Sequence, residues 1–179
     1  IELVNRELDL IEPWLAVCGH AAPVAVGEDG VKATMFSTQH SQLILLTQVA
    51  PMSQYVMSPP AVRRLPLVVP GVAESSDAYF ISPTGLEPLN HRRVTGGIGV
   101  AIEELDWVST ILFTSDPRAF ARLSQTLARN QQRTAQLQLA SAIEGLRQSR
   151  SLTPATHEGQ PVGEIARSLN LVEANLAQG

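Results

Sequence analysis

The sequence predicts a mainly β fold, an antiparallel β-sandwich flanked by a short N-terminal helix and a long C-terminal helical hairpin. Between residues 23 and 114, short β-prone runs are separated by turn residues, and no long helical pattern lies between them. On both sides of this region, apolar residues recur at the three- and four-residue steps of a helix. We therefore divide the chain into an N-terminal helix that links to a preceding domain (1–16), a β-sandwich domain (17–115) and a helical segment (116–179).

The N-terminal helix is predicted from a stripe of apolar residues on one helix face. Pro13 should end or kink this helix near its last turn, because proline lacks the N–H of an intrahelical bond. An isolated helix of this length is marginal in water, so we expect its stripe to contact the body of the chain or a preceding domain. The stripe consists of Ile1, Val4, Leu8, Ile11 and Leu15.

The central region is predicted as a series of short strands. Turn signals between them include Gly30, Pro70-Gly71 and Gly96-Gly97. The stretch from Pro51 to Pro66 contains four prolines and is typical of a long loop. The predicted strands are Val31–Thr38, Gln42–Val49, Pro66–Val69, Tyr79–Ser82, Arg92–Val94, Gly97–Ile102 and Val108–Thr114.

The C-terminal region is predicted to be helical. Asp116 is a good N-cap and Pro117 suits the first helical position. The helix should run to roughly Gln148, and at 1.5 Å per residue it would be about 45 Å long. A polar linker and a second apolar stripe, from Val162 to Leu176, follow. We expect the two helices to form an antiparallel hairpin, and the long helix offers a route to homo-oligomers.

The composition is that of a folded domain with few charges. The chain of 179 residues is 44% hydrophobic and 17% charged, with a net charge of −4. Clustered excess Lys and Arg, the usual footprint of nucleic-acid binding, is missing from the sequence. The longest apolar runs, such as Leu43–Leu46, are too short to span a bilayer.

The single cysteine, Cys18, cannot form an internal disulfide. It fits the cytosol and bacterial secreted or periplasmic proteins alike, so the compartment stays open. Because the chain opens on Ile1 in a helical pattern, we interpret it as a piece of a longer or processed protein.

The sequence contains no motif that specifies a catalytic, metal or cofactor site. Gly96, Gly97 and Gly99 do not follow the G-x-G-x-x-G spacing of a dinucleotide-binding turn, so we interpret them as a turn or bulge. Cys18 and His20 are too close in sequence for a catalytic pair and lack a third orienting group. No two histidines have the spacing of metal ligands. We therefore predict that this chain is not an enzyme and holds neither a metal nor a cofactor.

Three residues are candidates for contact with a carbohydrate or another ligand: Tyr55, Trp107 and His91. Aromatic rings offer a large apolar face to a ligand, and Tyr55 lies in the proline-rich loop. His91 begins a small basic cluster with Arg92 and Arg93. This cluster is either an anion or sugar contact or a solvated strand edge, where charge discourages aggregation.

Several segments resemble large bacterial glycosidase-like proteins, in which a barrel precedes an all-β domain and a helical segment follows it. The run Asn5-Arg6-Glu7-Leu8 with Ile11-Glu12-Pro13-Trp14-Leu15 resembles the helix that leaves the barrel. Core and turn residues of the all-β domain carry the rest of the resemblance. These segments are 30–34, 68–72, 74–79, 92–97 and 111–114.

The resemblance implies a structural role. The chain would be a C-terminal accessory domain that packs on a catalytic barrel and stabilises it, with the upstream domain of the same protein as its partner. Chemistry would then lie in the barrel, whose active sites are built from its own loops. Two alternatives stay open. A carbohydrate- or ligand-binding module would show an exposed aromatic patch at Tyr55 with Trp107. An interaction domain would associate through the long helix.

Overall fold

The computed structural model describes residues 2–49, 61–82 and 85–152. The chain divides into a unit of residues 1–134 and a second unit that begins at Ala135. The elements are α1 (Glu2–Val17), β1 (His20–Val24), β2 (Val31–Ser37), β3 (Ser41–Gln48), β4 (Val62–Val69), β5 (Asp77–Ser82), β6 (Gly85–Pro88), β7 (His91–Val94), β8 (Gly97–Leu105), β9 (Val108–Thr114) and α2 (Pro117–Leu152).

The strands form two sheets, which confirms the predicted fold class of antiparallel sheets with a short N-terminal and a long C-terminal helix. A six-stranded sheet has the order β1-β2-β3-β9-β5-β6, and a three-stranded sheet has the order β4-β8-β7. All pairs of these strands are antiparallel. The pairing of β3 with β9 joins strands that are far apart in sequence, with Ser41 opposite Thr114.

The two sheets stack face to face around one core. Because successive side chains of a strand point to opposite faces, β3 directs Ile44 and Leu46 into this core, and β9 directs Ile111 and Phe113. These four side chains are completely buried. The three-stranded sheet supplies the opposite wall of the core. Its contribution comprises Leu65, Leu67, Val69, Ile98, Val100, Ile102 and Leu105.

The outer face of the six-stranded sheet is covered by helices. Leu43 of β3, Ile81 of β5 and Leu112 of β9 point to this face. They form a second core with side chains of both helices, namely Leu10, Ile11, Trp14, Leu123 and Leu127. The central strands are therefore buried on both faces. This explains why β3 contains an unbroken apolar run instead of the alternation expected of a half-solvated strand.

Three strands differ most from the sequence prediction, and the boundaries of the others shift by up to three residues. β1 and β6 were not predicted, because both are edge strands whose prolines, Pro23 and Pro88, are untypical of a strand interior. β4 begins at Val62, within the predicted loop, while residues 51–60 of that loop lie outside the described residues. Arg64 has a φ of 54°, which interrupts the alternation of buried and exposed side chains along β4. The first part of β4 therefore does not show the sequence pattern of a strand.

Helix α1 also differs from its prediction in the face that it buries. Pro13 does not end the helix, which continues to Val17. Ile11 is buried as expected, but its buried neighbours are Leu10 and Trp14. Val4 and Leu8 are 54% and 49% exposed. The apolar arc of α1 is thus wider than the part that the sheet covers.

The start of α2 confirms the predicted cap. The backbone N–H of Arg118 donates a hydrogen bond of 2.9 Å to Oδ1 of Asp116, and Pro117 is the first helical residue. The helix extends to Leu152, slightly beyond the expected end. The second apolar stripe, residues 162–176, lies outside the described residues, so the helical hairpin stays a prediction. Among the described residues, no helix is both long and apolar enough to cross a membrane.

Gly96 and Gly97 of the rejected nucleotide-binding motif lie at the turn between β7 and β8, as predicted, whereas Gly99 lies within β8. Val94 pairs with Gly97, which leaves Thr95 and Gly96 as the two turn residues. Gly96 and Gly97 have φ values of 97° and 153°, which favour glycine. A Cβ atom on Gly97 would overlap the carbonyl oxygen of Val69 and lie 2.7 Å from its carbonyl carbon.

We expect Gly97→Ala to lower the free energy of unfolding by more than about 2 kcal/mol, because the new methyl group meets rigid backbone and an unfavourable φ. Urea denaturation would measure the change. Gly27→Ala is the matched control, since a Cβ atom there meets nothing within 4 Å. Equal stability of the two variants would show that the close approach of Gly97 to β4 is wrong.

Candidate functional site

A groove of about 700 Å³ lies between α1 and α2 above the turn that joins β2 to β3. Its volume falls in the range of small-molecule sites. One wall is the C-terminal half of α1, the other is the first turns of α2, and residues 38–41 close one end. We call it the interhelical groove.

The groove exists because α1 and α2 run antiparallel on the same sheet. Glu2 at the start of α1 contacts Arg133 of α2. Trp14, near the end of α1, lines the groove together with Ala119, near the start of α2. The deep part of the groove is apolar, since Leu10, Trp14 and Leu123 belong to the core beneath the helices.

Hydrogen bonds fix the closed end of the groove. The hydroxyl groups of Ser41 and Thr114 lie 2.7 Å apart and are buried. The backbone N–H of Ser115 donates to the carbonyl oxygen of His40 at 3.2 Å. The backbone N–H of Asp116 donates to Oγ1 of Thr114 at 3.1 Å. The β2–β3 turn is therefore tied to the N-terminus of α2, and the groove keeps its width there.

The mouth of the groove carries charged and titratable side chains. Asp9 comes from α1, His40 from the β2–β3 turn, and Asp116 and Arg122 from the start of α2. Among the described residues, no three His, Cys, Asp or Glu side chains form a group that could hold a metal ion. The arrangement is that of a binding groove with an apolar floor and a polar mouth.

An ion pair holds the open end of the two helices together. Nε and Nη2 of Arg133 donate to Oε1 and Oε2 of Glu2 at 3.1 and 3.0 Å. Nη2 of Arg6 also donates to Oε1 of Glu2 at 3.1 Å. The hydrogen bonds from Arg133, and then those from Arg6, lower the pKa of Glu2 to about 2.

A smaller groove of about 120 Å³ lies on the other flank of Leu10, which lines both grooves. Its lining includes Glu7, Ile11, Ile81 and Val108. Val108 is 58% exposed at this groove. On the α1 side, partial burial of the Glu7 carboxyl group raises its pKa above the ordinary value. This side of α1 also carries the exposed Val4 and Leu8, one helical turn apart.

The two ligand-contact candidates that lie within the described residues, Trp107 and His91, do not come together. Tyr55 lies outside the described residues. Trp107 is 42% exposed in the turn between β8 and β9, where its carbonyl oxygen accepts a hydrogen bond of 2.8 Å from Gln48 N. His91 pairs with Val100, and the strand from Val100 to Leu105 spans about 17 Å. Trp107 and His91 therefore belong to separate surfaces.

The basic cluster lies on an edge strand. His91, Arg92 and Arg93 are exposed on β7, at the edge of the three-stranded sheet. Nη1 of Arg93 is 2.7 Å from Oε1 of Glu74. This arrangement agrees with the interpretation as a solvated strand edge.

Sequence reasoning missed the interhelical groove. Asp116 was recognised as a helix cap, but neither Asp9 nor Arg122 lies in a motif. Pro13 was the available signal, because a proline that does not end a helix leaves an unbonded carbonyl group one turn earlier. Which face of α1 is buried depends on packing against α2, and this contact is not encoded in the periodicity of α1 alone.

Comparisons with known proteins found partial structural neighbours. No protein-family model matches the chain, and no curated protein matches it. The chain is similar to α-L-fucosidase isoenzyme 2 from Paenibacillus thiaminolyticus, with 7% identity and a TM-score of 0.44 over 52% of this chain and 15% of that one. It is also similar to a cycloisomaltooligosaccharide glucanotransferase of Paenibacillus sp. complexed with cycloisomaltoheptaose. That likeness has 12% identity and a TM-score of 0.43 over 62% of this chain and 20% of the other. The neighbours are thus glycosidase and glucanotransferase chains, of which this chain spans a fifth or less.

We expect Glu2→Gln to lower the melting temperature at pH 7 and to have a much smaller effect near pH 2. The lowered pKa of Glu2 means that its stabilisation is present above the unfolded-state pKa near 4.5 and is lost as the pH falls through about 2. The Glu2 side chain is 46% exposed, so the effect should be small and should decrease at high salt.

Thermal unfolding of both proteins between pH 7 and pH 2 would measure this dependence. Glu12→Gln, a change at another exposed residue of α1, is the control. Adding Glu2→Gln to Arg133→Gln should have less effect than Glu2→Gln alone, because the partner is already lost. A difference in melting temperature that persists unchanged at pH 2 would contradict the ion pair.

Proposed function

We propose that this chain is a non-catalytic accessory domain of a larger glycosidase-like protein, and that it packs on a catalytic barrel and stabilises it. The observation that carries the proposal is an apolar surface on α1. It consists of the exposed side chains of Val4 and Leu8 on α1, together with Val108 of β9, which lines the smaller groove beside α1, and we call it the α1 surface. These side chains are 54%, 49% and 58% exposed, although α1 and β9 both contribute to the core beside them.

The α1 surface has the features of an interface. Single exposed apolar residues are common on protein surfaces, but here two lie at i, i+4 on one helix, on the side of α1 that carries the smaller groove. The raised pKa of Glu7 reflects partial desolvation at the wall of that groove. Covering the three half-exposed side chains would contribute roughly 1 kcal/mol each to association.

The resemblance to glycosidase-like proteins supports the α1 surface as the contact with the barrel. The segment that resembles the helix leaving the barrel is α1 itself, and it carries the exposed apolar residues. An accessory domain joined to a barrel through α1 would have its linking element and its contact surface in one place. The partner would then be held at high effective concentration, so a modest surface is sufficient for docking.

In the longer protein that this proposal requires, Leu8→Asp should lower the melting temperature of the barrel, because it places a charge in the interface. In the isolated chain the same change should lower the free energy of unfolding by only about 1 kcal/mol, because half of the Leu8 side chain is exposed and only the buried half is lost. Differential scanning calorimetry of both forms would separate the two effects.

Thr95→Asp is the control for this experiment, because it adds the same charge to an exposed turn of the three-stranded sheet. It should leave the barrel unchanged. A longer protein without a barrel, or a barrel that melts identically with Leu8→Asp and Thr95→Asp, would overturn the proposal.

A carbohydrate-binding module is the second candidate, and the exposure of Trp107 favours it. Under the accessory-domain proposal, a glycan array should show no saturable binding to the isolated chain. Saturable binding that is lost in Trp107→Ala or Tyr55→Ala, and kept in His91→Ala, would replace the structural role with recognition through an aromatic patch. Binding lost in His91→Ala alone would assign recognition to the β7 edge.

A further inference from the structure

The helices cover only part of the outer face of the six-stranded sheet. Leu43 of β3 and Leu112 of β9 lie opposite each other and are completely buried in the core beneath the helices. Side chains two residues apart in a strand point to the same face, so the next positions of these strands also face outward. There the side chains are exposed or only half-buried. We call them the open strip, which consists of Lys32, Thr34, Leu45, Thr47, Val108 and Thr110.

The register of the strands orders the open strip into two rows across β2, β3 and β9. The first row is formed by Thr34, Leu45 and Thr110, and the second by Lys32, Thr47 and Val108. Because neighbouring strands are about 4.8 Å apart, each row is about 10 Å wide, close to the diameter of a helix with its side chains. The open strip therefore has the width of one helix.

Helix α1 borders the open strip on one side. Val108 and Thr110 line the smaller groove together with Glu7 and Ile11 of α1. Leu8, which is 49% exposed, lies three residues before Ile11 and thus on the same flank of the helix. The open strip and this flank of α1 meet at an angle, and we call the space between them the α1–sheet corner. A body that lies in the corner contacts both the sheet and the α1 surface.

The corner contains one basic and one acidic side chain, and they lie at opposite edges. Lys32 pairs with Thr47, Thr47 pairs with Val108, and Val108 lines the smaller groove with Glu7. The two residues between the charges are uncharged. A complementary partner therefore has an apolar stripe, with a carboxylate on the side of Lys32 and a basic group on the side of Glu7.

We propose that the α1–sheet corner binds one amphipathic helix of the barrel to which the proposed function joins this chain. The inference rests on that proposed function and specifies its partner. In a (β/α)8 barrel the helices form the outer ring, so a helix is the element that such a barrel presents to a neighbour. The bound helix would lie beside α1 as a third helix on the sheet. Its apolar stripe would contact Leu8, Leu45 and Val108.

Lys32 provides the first test, because it is the only lysine of the chain. In the longer protein, a carbodiimide should join its ammonium group to a carboxylate of the barrel as an amide, with loss of water. We expect mass spectrometry to place the cross-linked carboxylates on one outer helix, and two such residues should be three or four positions apart. Lys32→Arg, which keeps the charge and lacks the reactive amine, is the control.

Cysteine labelling provides the second test. Cys18 is first replaced by serine, which keeps the hydroxyl donor for the Leu15 carbonyl oxygen that the thiol now contacts. Thr47→Cys then reports on the corner, Leu8→Cys on the α1 surface, and Thr95→Cys on an exposed turn of the other sheet. Circular dichroism would establish that each variant is folded.

We expect a maleimide to label Thr47→Cys and Leu8→Cys about tenfold more slowly in the longer protein than in the isolated chain, because the covered thiols react only when the contact opens. Thr95→Cys should react equally in both. Lys32→Glu reverses the charge at the edge of the corner. In the longer protein it should speed the labelling of Thr47→Cys about two- to fivefold, the range of one exposed ion pair.

The outcomes separate this inference from the proposed function. Slow labelling of Leu8→Cys with unchanged labelling of Thr47→Cys would keep the accessory role and overturn the bound helix. Unchanged labelling of both thiols would overturn both proposals. Cross-links from Lys32 to a loop of the barrel, to a second copy of this chain, or only to residues of the same chain would overturn a barrel helix as the occupant of the corner.

Discussion

The structure depends on burying both faces of the six-stranded sheet at the paired strands β3 and β9. Leu43 and Leu112 lie opposite each other under the helices, while Ile44 and Ile111 lie opposite each other in the sandwich core. All four side chains are completely buried. The three-stranded sheet packs on one face of the six-stranded sheet, and the helix pair packs on the other face. The position of both layers therefore depends on the pairing of β3 with β9.

This arrangement also explains which parts of the sequence were informative. The apolar runs of β3 and β9, the cap at Asp116 and the glycine turn before β8 are local signals, and they predicted the sandwich and the start of α2. β1 and β6 escaped because edge strands tolerate proline and carry few core residues. β4 escaped in part because Arg64 interrupts its alternation. The local propensity of a segment does not indicate which strand it pairs with at the edge of a sheet.

The candidate site was less predictable than the fold. A groove between two helices depends on how far apart the helices lie, and this distance is set by Trp14, Leu123 and the tie between His40 and Ser115. Asp9 and Arg122 belong to no motif, and they become neighbours in one groove only after both helices are on the sheet. The two sides of α1 thus have different characters, one apolar and exposed and the other lining a polar-mouthed groove, although a single amphipathic period describes the helix.

The pairing of Ser41 with Thr114 has a consequence for how the chain reaches this state. Contacts between residues so far apart in sequence form slowly, because the intervening chain must be ordered before the contact is gained. During synthesis, β3 emerges several seconds before β9 at ordinary rates of translation. During that time the apolar run of β3 lacks β9, the strand with which it pairs inside the six-stranded sheet. Conditions that slow translation between these strands, or that remove chaperones that cover exposed apolar segments, should therefore affect the yield of soluble protein more than its final stability.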